Sequence, residues 1–407
     1  MKTLFQKYFN ITLSTRILIW MVLGAVAGIS FGKSIVVIKP LGDLFIQLLM
    51  MVAIPLVFFN LLAGLTSMSN IKSMGKTAIK VFVFYLTTTT IAITLGMGIM
   101  FLFKAGVGFE VKADVTHQVG EAPPLLDLLL NMFPTNIFKS FAEGNLIQIV
   151  VFGIMVGIAS LAMPKEKKEK LEKAYNLIAE LMRKLVDLVM RVAPICLAAL
   201  IAASVGEYGS EIFGPIIKFI LAVFSAQVLM VGFYMLLLMV VGKVSPRWFL
   251  QNTKELYATT IATCSSLASL AVSLDVAESK LKLPKSIYGF TLPLGAQFNK
   301  DGTSIMLSAV LIFTAQAVGW TDMTIWDLLQ IVIVGLIIVE GSGGIPGGGL
   351  VVAMLFAKAF DLPIEVVAVI GGIYRFIDMG NTTVNCMGDL VATVIIAKQD
   401  TNWEPDN

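Results

Sequence analysis

The chain has 407 residues, 57% of them hydrophobic and only 14% charged, with a mean hydropathy of +0.86. That leaves too little polar surface to cover a water-soluble globule, so the chain belongs in lipid. A net charge of +3, dispersed along the sequence, excludes the basic footprint of a nucleic-acid-binding protein.

Lys2, Lys7 and Arg16 lead into an apolar stretch too long and too helical for a cleaved signal peptide, which reads as the first membrane helix. It is the first of six apolar spans, at 16–34, 41–68, 77–103, 146–163, 171–205 and 212–241. Helices are expected because backbone groups in lipid must find their partners within the segment, and roughly 20 residues cross about 30 Å of hydrocarbon. Lys72, Lys76 and Lys80 form one basic cluster, and Lys165, Lys167, Lys168, Lys170 and Lys173 form another. The stretch 106–124 instead carries Glu110, Asp114 and Glu121. Counting from a cytoplasmic N-terminus puts both basic loops inside and the acidic one outside, as in an integral protein of the plasma (inner) membrane. Cys196, Cys264 and Cys386 lie in apolar or small-residue surroundings without metal-ligand spacing and read as buried free thiols.

Beyond Lys243 the apolar segments are interrupted. Thr259 opens TTIATCSSLASLAVS, with serines in mid-segment, and Glu340 opens EGSGGIPGGG. Such breaks at membrane depth are tolerated where backbone is buried in protein or lines a wet cavity, and a pair of them points to the binding site of a transporter built from inverted repeats. Between them, TLPLGAQFNKDGT places Asn299, Lys300 and Asp301 side by side in an apolar span, bracketed by Gly295 and Gly302, which would let the helix unwind and turn carbonyl oxygens toward a cation. The last span, 366–396, holds Tyr374, Asp378, Asn381, Thr382, Asn385 and Asp389. At about 100° per residue these share one stripe roughly 100° wide, with Arg375 on its margin. A stripe of this kind faces the protein interior, and two carboxylates exceed what helix packing needs.

Lys300 and Arg375 stand against Asp301, Glu340, Asp378 and Asp389, a deficit of two positive charges. One or two bound metal ions, or a protonated carboxylate, would correct it, so a cation or H+ is the expected coupling partner. The one histidine, His117, falls in the outer loop, which leaves any proton coupling to a carboxylate.

These motifs resemble the glutamate transporter family, the dicarboxylate/amino acid:cation symporters, over nearly the whole chain. The resemblance rests on Cys264-Ser265-Ser266, on 299–303, on 341–347 and on the run from Asp378 to Asp389. It implies an all-α membrane protein of eight transmembrane helices plus two re-entrant helical hairpins, at 248–283 and 326–360, in inverted repeats, working as an elevator in a homotrimer. The implied scaffold comprises 1–76 (helices 1–2) and 106–205 (helices 4–5). The implied transport domain comprises 77–105 (helix 3) and 206–407 (helix 6, hairpin 1, helix 7, hairpin 2 and helix 8). By resemblance Asp378 holds the substrate ammonium, and Thr382, Asn385, Ser265 and Ser266 hold its carboxylate. Thr303, Asn381, Ser342 and Gly344 line or gate the pocket. One implied sodium site comprises Gly295, Asn299, Asn385 and Asp389, and another Tyr85, Thr88, Thr89, Asn299 and Asp301.

Two departures from the family pattern shape the expected substrate. The family's usual methionine is Lys300 here, so an ammonium can repel or replace a coupling ion, with Glu340 as its expected partner. Family members that carry acidic substrates have an arginine where this chain has Asn381, and Tyr374 replaces the acidic residue that orients it. A neutral amino acid is therefore expected, while Arg375 keeps an acidic amino acid or dicarboxylate open. An ion channel would need an open lined path, and an enzyme would need a nucleophile–base pair or metal-ligand spacing that the sequence lacks.

Overall fold

The computed structural model describes residues 13–67, 76–109, 130, 133–209, 213–339, 347–401 and 403–405, and among them every regular element is helical. Helix α1 (Leu13–Phe31) continues through a 3-10 segment (Gly32–Ile38) into α2 (Lys39–Ser67). The spans expected at 16–34 and 41–68 are thus one helical run, and both halves pack along α6 (Lys165–Tyr208). Between them in sequence come α3 (Lys76–Phe103), the short α4 (Ile137–Glu143) and α5 (Leu146–Leu161).

Two expectations change here. The lysines at 165–173 form the first turns of α6 and not a loop, because Lys and Glu are good helix formers and pair one turn apart, as Glu166 and Lys170 do at 2.6 Å. With 44 residues α6 is about 66 Å long, twice the hydrocarbon thickness. Helix α5 has only 16 residues, fewer than the predicted span. It starts where Asn145 caps the Gln148 N–H, directly after Gly144 (φ +73°) has turned the chain out of α4.

Among the described residues, four helical runs are long and apolar enough to cross a membrane: Thr15–Thr66, Lys76–Phe103, Lys165–Glu207 and Phe213–Gly242. The last contains α7 (Phe213–Leu237). Polarity is inverted relative to a soluble protein. Large apolar side chains such as Val26, Phe82, Leu188 and Val228 are exposed, whereas Lys300, Asp301, Arg375, Asp378 and Asp389 are buried. Burial of charge beneath an apolar surface is stable only with lipid outside and polar partners inside.

The C-terminal half is built of broken helices. α8 (Pro246–Thr263) and α9 (Ser266–Asp275) pack against each other across Cys264 and Ser265; Cys264 takes the left-handed conformation (φ 49°). α10 (Lys285–Phe298) gives way to α11 (Asp301–Ala317) at Asn299 and Lys300. α12 (Ile325–Val339) packs against α13 (Gly348–Ala359). The predicted span 366–396 is two helices, α14 (Ile364–Gly371) and α15 (Tyr374–Asp400). The break falls where Gly371 and Gly372 weaken the helix and Gly372 lies against Ile201 of α6. Every residue of α11 from Asp301 to Gln316 is buried, under α3, α7, α13 and α15. The polar start of α11 thereby lies at the centre of the bundle. None of the three cysteines is in a disulfide, and all three are buried.

Candidate functional site

The site begins with a helix that cannot cap itself. Lys300, at the N-cap position of α11, makes no side-chain capping bond, so the amide groups of the first turn need another acceptor. Asn385 of α15 supplies it: its Oδ1 accepts from Gly302 N (2.7 Å) and Thr303 N (3.4 Å), and its Nδ2 donates to Thr303 Oγ1 (3.2 Å). Two broken helices are pinned together by one asparagine. Asn299 completes the link, donating to the Asn385 carbonyl and to Asp389 Oδ1, both at 2.9 Å.

Two carboxylates sit in this layer. Asp301 accepts hydrogen bonds from Thr89 Oγ1 of α3 (2.8 Å) and Tyr234 Oη of α7 (2.5 Å). Thr88 is buried beside it and donates to the Tyr85 carbonyl. Tyr85 Oη donates to the Thr291 carbonyl (3.2 Å). The helix breaks at Asn299 and Lys300, between Gly295 and Gly302 as expected, while the two glycines themselves lie inside the flanking helices. There they also allow close approach. A Cβ on Gly295 would lie 2.3 Å from Asp389 Oδ1 and 2.6 Å from Tyr85 Oη, and one on Gly302 would lie 2.3 Å from the Asn381 carbonyl.

The structure therefore brings Tyr85, Thr88, Thr89, Gly295, Asn299, Asp301, Asn385 and Asp389 into one region. The buried Asn299 Oδ1 has no hydrogen-bond partner among the described residues. An orphaned acceptor amid carboxylate, hydroxyl and carbonyl oxygens suits a hard cation. Lys300 is fully buried (0% exposed), donates from Nζ to the Ala296 carbonyl at 2.5 Å, and exerts its charge on Asp301 and Asp389.

A second layer forms around Asp378. Tyr374 Oη donates to its Oδ1 at 2.9 Å, and Arg375 Nη1 lies 3.5 Å from its Oδ2. Arg375 Nη2 reaches the Thr263 carbonyl at 3.3 Å, tying α15 to the end of α8. Arg375 is buried, so the margin position expected for it is turned inward. Ser265 Oγ accepts from Ala268 N and starts α9, while Ser266 bonds Cys386. Thr382 is buried one turn beyond Asp378, next to Thr383, whose hydroxyl meets Thr260 of α8 at 2.9 Å. Asn381 is fully buried, with its Oδ1 accepting from Gln227 Nε2 of α7 at 2.9 Å. Glu340, Ser342 and Gly344 lie outside the described residues. The pairing expected between Glu340 and Lys300 lies outside them too.

A cavity of about 480 Å³ opens beside this layer. Glu180, Arg183, Lys184 and Asp187 of α6 line one side, and Thr263, Ser265, Leu267 and Ala268 the other. Sequence reasoning missed Gln227 and Tyr234, although each is a polar group within an apolar span.

The sodium:dicarboxylate symporter family matches residues 13–399. Among curated relatives, the chain is 33% identical to a proton/glutamate-aspartate symporter of Bacillus subtilis (strain 168), over 96% of this chain and 94% of that protein. It is 30% identical to a proton/sodium-glutamate symport protein of Geobacillus stearothermophilus, over 97% and 95%. It is 28% identical to a C4-dicarboxylate transport protein of Bacillus subtilis (strain 168), over 96% and 94%.

Proposed function

The chain belongs to the sodium:dicarboxylate symporter family, whose members are transporters and not enzymes, and from that premise we propose that it carries a neutral amino acid together with sodium ions across the plasma membrane. The observation that carries the neutral reading is Asn381. Where an acidic side chain would need a cation, this position offers an amide, buried and turned to the uncharged Gln227.

Asp378 takes the substrate ammonium in this reading. Tyr374 and Arg375 hold the carboxylate in place while it waits, and the substrate ammonium then adds its own hydrogen bonds and charge to that carboxylate. The substrate carboxylate meets Thr382, Asn385 and the start of α9 at Ser265 and Ser266, where the positive end of the helix dipole favours an anion. Thr303 lines the pocket, and Ser342 and Gly344 gate it. Sodium, as cargo, is held at Gly295, Asn299, Asn385 and Asp389, and at Tyr85, Thr88, Thr89, Asn299 and Asp301. Asp301, Asp378 and Asp389 outnumber Lys300 and Arg375 in this buried region, which favours cation binding there.

Around these sites we assign re-entrant hairpins to 248–283 and 326–360. The scaffold comprises 1–76 and 106–205, and a transport domain of 77–105 and 206–407 moves as an elevator within a homotrimer. The cytoplasmic N-terminus is assigned from the two basic clusters, at 72–80 and at 165–173, which the positive-inside rule places on the inner side. Purified protein in liposomes is expected to accumulate labelled neutral amino acid under an inward sodium gradient. Uptake that ignores sodium and follows a proton gradient overturns the coupling, and uptake confined to aspartate, glutamate or succinate overturns the substrate.

One observation favours a second reading. Arg375 is a buried guanidinium beside Asp378, and the relatives are named for glutamate, aspartate and C4-dicarboxylates. If Arg375 releases Asp378 on loading, it can pair with a substrate side-chain carboxylate. Proton coupling through Asp301 or Asp389 belongs to the same reading.

A further inference from the structure

Gln227 sits in the middle of α7, within an otherwise apolar stretch, and is only 4% exposed. A carboxamide in such a place has a definite task, because leaving it unpaired is costly. Its Nε2 donates to Asn381 Oδ1, and Gly380 makes the approach possible, since a Cβ there would stand 2.2 Å from Gln227 Oε1. The bond fixes the Asn381 amide. With Oδ1 held by Gln227, the Nδ2 group has no hydrogen-bond partner among the described residues, although the residue is 0% exposed. Asn381 lies one turn from both Asp378 and Asn385 on the polar face of α15.

From this geometry we infer that Gln227 is a positioning residue that holds Asn381 with its N–H donors toward the substrate, and that the substrates taken best are neutral amino acids whose side chain carries an uncharged oxygen acceptor, a carboxamide or hydroxyl. The inference rests on the neutral reading given above and narrows it. An aliphatic substrate leaves the buried donor unsatisfied, whereas a side-chain oxygen satisfies it, and a site built around such a donor discriminates against analogues that lack the acceptor. A carboxylate is disfavoured for a different reason. Neither amide carries a charge to offset its desolvation, and the guanidinium of Arg375 is engaged with Asp378 and the Thr263 carbonyl.

The test is uptake by the full-length protein in liposomes, using labelled glutamine, asparagine, serine, alanine, valine and aspartate. Glutamine, asparagine or serine should exceed alanine and valine in kcat/KM by about fivefold or more, the effect of one neutral hydrogen bond. Q227M should erase most of that preference, through a raised KM for the oxygen-bearing substrates. N381A should erase it equally, and Q227M added to N381A should change it no further, because Gln227 acts only through Asn381. Equal use of alanine and glutamine by the unaltered protein overturns this inference while leaving the neutral reading intact. Preference for aspartate overturns the neutral reading itself. Additive effects of Q227M and N381A, or an equal loss for every substrate in Q227M, would mean that Gln227 merely packs.

Discussion

Gly295→Ala adds a single methyl group to α10 and changes no charge. Its Cβ would stand 2.3 Å from Asp389 Oδ1 and 2.6 Å from Tyr85 Oη. Carbon and oxygen normally approach no closer than about 3.3 Å, so both groups must retreat by about an ångström. Asp389 can retreat only by stretching its 2.9 Å bond from Asn299, the residue that also presents the orphaned Oδ1. Overpacking of this kind costs about 1–3 kcal/mol. Charged against ion binding, that raises the sodium concentration for half-maximal uptake by roughly fivefold to over a hundredfold. Gly289→Ala is the control, since a Cβ at Gly289 of the same helix meets nothing within 4 Å. Sodium titration of uptake in liposomes, with melting temperatures in choline to correct for lost stability, separates the two variants. Equal sodium dependence in folded Gly295→Ala and Gly289→Ala protein would refute a cation site between α3, α10 and α15.

Asp378→Asn keeps an acceptor for Tyr374 but removes the charge, so saturable amino acid uptake should vanish. The melting temperature should fall as well, because Arg375 loses its buried partner at a cost of about 3–5 kcal/mol. Persistent uptake would remove Asp378 from the ammonium role. Lys300→Met takes a fully buried ammonium from beside Asp301 and is expected to steepen the sodium dependence as a further cation enters; an identical titration curve would make Lys300 purely structural. Asn381→Arg should strengthen inhibition of uptake by aspartate at least about tenfold through a charge-assisted pair, and no change would place Asn381 outside the pocket.

The polar stripe on α15 was legible in the sequence because a helix has a fixed period. Asp378, Asn381, Asn385 and Asp389 share a face wherever that helix is placed. What they face was not legible. The bonds from Asn385 to Gly302 and Thr303, 82 or more residues away, arise from the way α11 is broken and docked. Gln227 and Tyr234 were visible as polar groups in an apolar span, yet nothing local told that they reach Asn381 and Asp301. Arg375 read as marginal because a wheel records where a side chain starts, and its reach to Asp378 and Thr263 depends on a flexible stem.

By itself the sequence determined the solvent and the chemistry. An apolar chain must lie in lipid, and charges within it must gather inward. Tertiary structure alone decided the pairing, because a buried polar group takes whichever partner packing brings within about 3 Å, and that partner comes from a distant helix. It also decided the use of the glycines. Gly295 could equally have loosened its helix, and only the neighbouring carboxylate of Asp389 shows that it makes room.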